Sequence, residues 1–123
     1  MKWIALVTGG VAGTVARYAL SGLVYRFAGS EFPYGTLAVN LAGCLAIGFL
    51  SALSEERFLL GPNARLLLMA GFCGAFTTFS TFMLETSNLL REGETFRAFA
   101  NMAVSIVAGF VLFRLGGFLA ELL

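Results

Sequence analysis

Histidine is absent from this 123-residue chain, which removes the side chain that proteins use most often as a general base and as a metal ligand. Only two cysteines occur, Cys44 and Cys73, each inside an apolar run and without the spacing of a metal or redox site. The eight basic residues are scattered, whereas a nucleic-acid-binding surface concentrates them in a stripe. We therefore expect neither an enzyme active site nor a nucleic-acid partner.

Charged residues are scarce as well. They make up 12% of the chain, whereas apolar side chains make up 59%. A soluble domain has about 25% charged and about 45–50% apolar residues. So few charges cannot coat a water-exposed surface, and the core of a soluble domain of this size cannot hold so many apolar side chains. The composition predicts an all-α protein of the cell membrane, with the lipid bilayer as the solvent for much of its surface.

Four segments have the length of about 17–25 mostly apolar residues that a helix needs to cross a bilayer. They cover residues 3–25, 36–53, 66–90 and 98–119, and the polar joints between them are short. We predict one four-helix transmembrane domain over residues 1–123. The first span resembles a signal peptide, but Gly9, Gly10 and Gly13 interrupt it and no convincing cleavage site follows, so we expect it to be retained.

Polar residues recur inside these apolar spans, where they are energetically costly. Arg17 lies in the first span and Asn40 in the second. Helical spacing groups the others into two stripes, which are Thr77, Ser80, Thr81, Glu85 and Asn88 in the third span, and Asn101, Ser105 and Gly109 in the fourth. One interpretation of such stripes is that they merely form interhelical hydrogen bonds, worth about 0.6 kcal/mol each on average. Several donor-bearing stripes in one small protein favour a polar pathway instead.

Residues 71–82 form the most informative segment, because two glycines and consecutive threonines weaken a helix at mid-membrane depth. We predict that the third helix is broken there, which membranes tolerate only where the backbone lines a cavity or is buried in protein. Freed carbonyl oxygens would suit a hard cation such as Na⁺. Phe76, Phe79 and Phe82 are spaced by three, and although aromatic stripes usually serve packing, the positive edges of these rings could meet a small anion.

These motifs resemble the Fluc (CrcB) family of fluoride channels, four-helix membrane proteins of bacteria and other microbes. The resemblance covers the whole chain: residues 9–13 with Arg17, residues 35–43 with Asn40, residues 71–82 with Glu85, and Asn101 with Ser105. It implies an antiparallel, dual-topology homodimer with two fluoride pores, in the bacterial plasma (inner) membrane.

The resemblance also implies roles for individual residues. Phe79 and Phe82 match the pore phenylalanines of the family, Asn40 its pore asparagine and Ser105 its fourth-helix serine. Further matches are Ser80, Thr81 and Glu85 on the polar track and Arg17 near the vestibule. Gly74 and Thr77 match the positions whose backbone carbonyls hold a structural Na⁺ at the dimer interface.

The resulting hypothesis is a passive channel that exports fluoride from the cytoplasm and reduces its toxicity. One alternative is a proton-coupled small multidrug transporter, a class that carries a glutamate in its first span, whereas this first span contains Arg17 and no acid. A noncatalytic assembly subunit is the other alternative, and it predicts that the polar stripes only pack.

The distribution of basic residues predicts both orientations in the membrane, independently of the resemblance. Orientation follows mainly from the imbalance of Lys and Arg between the two sides. With four spans, one side carries Lys2, Arg57 and Arg65, and the other carries Arg26, Arg91 and Arg97. Three basic residues on each side impose no preferred topology, and Arg114 adds at most one to the side of the termini.

Overall fold

The computed structural model describes residues 1–123, which form an all-helical bundle with no strand. Helix α1 covers Lys2–Ala28, and α2 covers Tyr34–Glu55. The third crossing begins with α3, which is α-helical over Pro62–Arg65, π-helical over Leu66–Cys73 and α-helical again over Gly74–Phe76. It continues with α4 over Phe79–Arg91, and α5 covers Thr95–Glu121.

Four helical segments are long and apolar enough to cross a membrane: Lys2–Ala28, Tyr34–Glu55, Pro62–Arg91 and Thr95–Glu121. The prediction of an all-helical, multi-pass membrane protein is confirmed in this respect. Each segment extends a few residues beyond its predicted span. The reason is that hydropathy marks the part of a helix that lies in hydrocarbon, whereas the helical hydrogen bonds continue into the more polar ends.

Glycines bring the helix backbones close together at several contacts, of which two serve as examples. Gly9 on α1 lies directly against the Leu67 carbonyl of α3. Gly48 on α2 lies against the Phe113 carbonyl of α5 in the same way. A β-carbon at either position would overlap the facing carbonyl oxygen. The small residues of the spans therefore serve close helix packing, which is the usual role of glycine in membrane interfaces.

The third crossing departs from α-helix at two places. Leu66–Cys73 is π-helical, which the sequence analysis did not predict. Phe76 is the last residue of α3, and Thr77 (φ −93°, ψ 159°) and Thr78 (φ −149°, ψ 121°) are extended before α4 begins at Phe79. The extended conformation suits threonine because its β-branched side chain is restricted in a helix.

The arrangement of the phenylalanines differs from the sequence expectation. The spacing of three suggested a single aromatic face, but Phe76 belongs to α3, whereas Phe79 and Phe82 belong to α4. Phe76 instead stacks on Phe72, with ring centroids 5.4 Å apart and an interplanar angle of 16°. The extended residues 77 and 78 rotate α4 relative to α3, so helical spacing cannot be counted across them.

Two hydrogen bonds of arginine side chains mark the two ends of the bundle. Arg57, just after α2, donates from Nη1 to the Glu121 carbonyl at the end of α5, at 3.1 Å. Arg97, near the start of α5, donates from Nη1 to the Glu31 carbonyl in the α1–α2 loop, at 3.5 Å. The α2–α3 loop therefore lies at the end that carries the C-terminus, and the α1–α2 loop lies at the other end with the α4–α5 loop.

Candidate functional site

Asn40 on α2 forms two hydrogen bonds with the backbone of extended Thr78. The Thr78 N–H donates to Oδ1 of Asn40 at 2.8 Å, and Nδ2 of Asn40 donates to the Thr78 carbonyl at 3.0 Å. The Oγ1 of Thr78 in turn accepts from the Thr81 N–H at 3.2 Å and caps the first turn of α4. In an uninterrupted helix these two N–H groups would donate to the carbonyls of Gly74 and Thr77, which here lose those partners.

A cavity of about 430 Å³ lies beside the extended residues, between α2, α3, α4 and α5. No charged side chain lines it, and its polar lining comes from an amide, hydroxyls, thiols and backbone groups. Six residues singled out from the sequence line this cavity: Asn40, Gly74, Thr77, Phe79, Phe82 and Ser105. The fold thus brings together residues from three of the four crossings.

Phe79 and Phe82 meet edge to face in this cavity, with ring centroids 5.9 Å apart and an interplanar angle of 63°. Phe82 is buried, with 7% of its surface exposed, whereas Phe79 is 73% exposed on the outside of the subunit. In an edge-to-face pair the positive edge of one ring points at the negative face of the other. The pair is therefore an oriented aromatic element at the rim of the cavity.

A second cavity, of about 220 Å³, lies between α1, α2 and α4 and contains Arg17 and Thr81. Hydroxyl groups of Thr14, Ser21 and Thr36 line it as well, and no carboxylate does. Thr78 lines both this cavity and the larger one, so the extended backbone separates them. A cavity with one guanidinium and several hydroxyls provides many hydrogen-bond donors, which is the lining that an anion requires.

Glu85 lies in a third cavity, of about 260 Å³, near the end of the bundle that carries the α1–α2 loop. Its Oε2 accepts a hydrogen bond from the Tyr25 hydroxyl at 2.9 Å. Its Oε1 is buried and has no hydrogen-bond partner in the subunit. A buried carboxylate oxygen without a partner is costly, so this side chain has capacity for a further donor.

The predicted site residues therefore fall into three cavities rather than one. Arg17 and Thr81 line the second cavity, and Glu85 lines the third. The remaining predicted residues apart from Ser80 line the first, and these are Asn40, Gly74, Thr77, Phe79, Phe82 and Ser105. Ser80 is exposed and lines none of the three.

Two residues that contact this site, Tyr25 and Thr86, were not predicted from the sequence. Tyr25 was assigned only to the end of the first span, because nothing local connects it to Glu85, 60 residues later. Thr86 is buried, donates to the Phe82 carbonyl at 2.8 Å and accepts from Nδ2 of Asn101 at 3.0 Å. The position of Thr86 one turn after Phe82, opposite the fourth-span stripe, was the only available signal.

Comparison with known proteins places the chain in a family. The family model described as CrcB-like protein, Camphor Resistance (CrcB), matches residues 4–117. A fluoride-specific ion channel FluC of Chlorobium phaeobacteroides is 52% identical over 114 residues, which cover 93% of this chain and 88% of the relative.

Two further relatives have the same name, fluoride-specific ion channel FluC. The one from Chlorobaculum tepidum is 50% identical over 123 residues, covering 99% of this chain and 97% of the relative. The one from Maridesulfovibrio salexigens is 43% identical over 109 residues, covering 89% and 86%. Because the family model matches residues 4–117 of this chain, and because the chain is 50–52% identical to two relatives that it covers to 88% and 97%, the chain belongs to the CrcB family.

Proposed function

We propose that this protein is a passive, fluoride-selective ion channel that lets fluoride leave the cytoplasm and so reduces fluoride toxicity. The observation that carries the proposal is membership of the CrcB family, together with relatives that are named fluoride-specific ion channels. The same comparisons favour a channel over an enzyme, a multidrug transporter or an assembly subunit. The absence of an acid from α1 agrees with this choice.

The chemistry of the large cavity supports an anion as the transported species. Fluoride is small and strongly hydrated, so a pore must replace its water with hydrogen-bond donors. The Asn40 amide and the Ser105 hydroxyl supply donors, and the Phe79 and Phe82 rings supply positive edges. No carboxylate lines this cavity to repel an anion.

The proposed pathway continues past the extended residues into the polar cavities. Arg17 and Thr81 offer a guanidinium and a hydroxyl on the other side of Thr78. Ser80 and Glu85 extend the polar track along α4, with Glu85 held by the Tyr25 hydroxyl. Electrostatic attraction by Arg17 would raise the local concentration of anions at this vestibule.

We also propose that the functional unit is an antiparallel homodimer of dual topology. The large cavity is open at the surface of a single subunit, and Phe79 at its rim is mostly exposed. A second copy, inverted about a two-fold axis in the membrane plane, would cover this face with an identical surface. The break between Phe76 and Phe79 would then lie at mid-membrane depth, buried by protein, as lipid requires.

A structural Na⁺ at the centre of this dimer is the remaining part of the proposal. The carbonyls of Gly74 and Thr77 fit such an ion, because the N–H groups of Thr78 and Thr81 donate elsewhere and leave them free. Carbonyl oxygens are suitable ligands for a hard cation. Gly74 is exposed on the subunit surface, where an ion shared between two copies would lie.

Reconstitution in liposomes tests the proposed function. Purified protein should release trapped fluoride rapidly while chloride is retained, as followed with ion-selective electrodes, and a pH gradient should not be required. Proton-coupled uptake of cationic drugs without fluoride flux would instead support the transporter alternative. If the liposomes retained both fluoride and chloride and took up no drug, the result would support an assembly subunit. Protein-free vesicles supply the control for leakage.

A further inference from the structure

We propose that Asn40 is a positioning residue that clamps the extended backbone of Thr78 and thereby sets the geometry of the pore segment. This inference rests on the proposed channel function and deepens it. Asn40 uses both halves of its amide on one residue, since Oδ1 accepts from the Thr78 N–H at 2.8 Å and Nδ2 donates to the Thr78 carbonyl at 3.0 Å. The two residues are 38 positions apart.

The extended conformation explains why an amide fits there. In extended backbone the N–H and C=O of one residue point to the same side, as they do in a hydrogen-bonded pair of antiparallel strands. A carboxamide presents one acceptor and donors side by side, so it can satisfy both groups at once. Asn40 thus replaces the two helical hydrogen bonds that Thr78 lacks.

α2 holds the neighbouring residue as well, one turn further along. The Thr77 methyl group, Cγ2, occupies the space where a β-carbon of Gly43 would lie. Positions 40 and 43 share one face of α2. Asn40 therefore binds the backbone of Thr78 while Gly43 accommodates the side chain of Thr77, and the two contacts together fix where the chain leaves α3 and enters α4.

The clamp has two consequences for the pore. It fixes the start of α4, because Thr78 also caps that helix through the hydrogen bond from Thr81 to Oγ1, and with it the Phe79 and Phe82 rings. It also leaves one of the two Nδ2 hydrogens of Asn40 free for the large cavity, since the other is used by the Thr78 carbonyl. The direction of that donor is set by the clamp.

Two substitutions separate the halves of the clamp. Asn40→Ala removes both hydrogen bonds. Asn40→Asp keeps an acceptor for the Thr78 N–H but, when ionised, loses the donor to the Thr78 carbonyl. Protonation of that carboxyl at low pH restores one acceptor and one donor in the original arrangement.

The first readout is amide hydrogen exchange at Thr78, measured by NMR on protein labelled with nitrogen-15 at threonine. We expect exchange at Thr78 to rise roughly tenfold or more in Asn40→Ala, equivalent to about 1.4 kcal/mol, and to stay slow in Asn40→Asp. The matched control is Asn88→Asp, because Asn88 is exposed on α4 and forms no side-chain hydrogen bond. Unchanged exchange at Thr78 in Asn40→Ala would overturn the proposal.

The second readout is fluoride flux against pH, expressed relative to the unsubstituted protein and corrected for leakage from protein-free vesicles at each pH. Asn40→Asp should conduct poorly at neutral pH and recover as the pH falls, which loss of packing alone would not produce. A relative flux that stays low at every pH would contradict the clamp. Absence of fluoride flux in the unsubstituted protein would count against the channel function, whereas the exchange experiment would still decide the clamp.

Discussion

Phe79 and Phe82 are neighbours in one edge-to-face pair but differ in their surroundings. Phe82 is buried within the subunit, and its carbonyl accepts a hydrogen bond from Thr86. Phe79 is mostly exposed. The same substitution should therefore have different effects on stability at the two positions, even if both rings contact the transported ion.

We expect Phe79→Ile and Phe82→Ile each to lower fluoride flux by tenfold or more, on the order of 1.4 kcal/mol, because isoleucine has no positive ring edge. Phe82→Ile should also reduce subunit stability by about 1 kcal/mol, the usual effect of a hydrophobic exchange in a packed core. Phe79→Ile should leave subunit stability nearly unchanged. Liposome flux and thermal unfolding measure the two effects. Full flux in both variants would mean that the two rings contribute only to packing.

The Tyr25–Glu85 hydrogen bond provides a second test at the level of residues. Tyr25→Phe removes the hydroxyl that donates to Oε2 and leaves both carboxylate oxygens without a donor, because Oε1 already lacks one. We expect a loss of about 1–3 kcal/mol in stability and a lower fluoride flux. Tyr34→Phe is the control, since the Tyr34 hydroxyl forms no hydrogen bond. Equal effects of the two substitutions would mean that the contact with Glu85 is not important.

At the scale of the elements, glycine decides how closely the helices approach. Gly9 and Gly10 are adjacent on α1, but they face different surroundings. A β-carbon at Gly9 would meet the Leu67 carbonyl, whereas a β-carbon at Gly10 would have no atom within 4 Å apart from its own stretch of α1. The same added methyl group would therefore clash with backbone at position 9 and lie in open space at position 10. This pair offers a matched comparison within a single turn of helix.

Gly9→Ala should destabilise the protein by several kcal/mol or prevent folding, since the obstacle is backbone that cannot move aside without displacing α3. Gly10→Ala should be neutral or slightly stabilising, because alanine favours helix by about 1 kcal/mol over glycine. Unfolding in detergent by circular dichroism measures both. Equal stability of the two variants would contradict the close packing of α1 on α3.

The interruption between α3 and α4 predicts an effect of sodium. If the free carbonyls of Gly74 and Thr77 bind Na⁺, stability should rise with Na⁺ concentration, by about 2.7 kcal/mol at a hundred times the dissociation constant. Choline at the same ionic strength should have no such effect. Melting curves of the purified protein in the two salts provide the measurement, and identical curves would exclude a stabilising sodium site.

At the scale of the whole molecule, the structure places Arg57 and Arg97 at opposite ends of the bundle, as the sequence assigned them to opposite sides of the membrane. The Arg57–Glu121 contact marks the end with the α2–α3 loop, and the Arg97–Glu31 contact marks the other. Arg57 and Arg97 thus lie at opposite ends, and the count of basic residues remains three against three, or four against three when Arg114 is included. Because neither end is clearly more basic, we expect insertion in either orientation to cost little.

Dual topology predicts that both ends of the protein are accessible from outside the cell. Single cysteines introduced by Ser30→Cys or Asn63→Cys, in a Cys44→Ala, Cys73→Ala background, lie at exposed positions at opposite ends, the first in the α1–α2 loop and the second in the first turn of α3. An impermeant thiol reagent applied to intact cells should label both to similar extents. Labelling of only one, with the other reached only after permeabilisation, would establish a fixed orientation and exclude the antiparallel dimer.

Composition and local pattern alone determined the class of this protein. Scarce charge and four long apolar runs require a membrane-embedded helical bundle, because helices satisfy every backbone group within the segment itself. The glycines and threonines of residues 71–82 indicated where the third crossing is weak. These features are local, so each can be recognised without knowing what lies opposite.

Only the tertiary structure decided which residues meet. Asn40 contacts Thr78 and Tyr25 contacts Glu85 because α2, α1 and α4 have a particular rotation and register. Periodicity assigns a residue to a face of its own helix, but it does not specify the facing helix or the depth at which the two align. The division of the polar residues among three cavities follows from that alignment, which depends on backbone contacts at glycines such as Gly9 and Gly48.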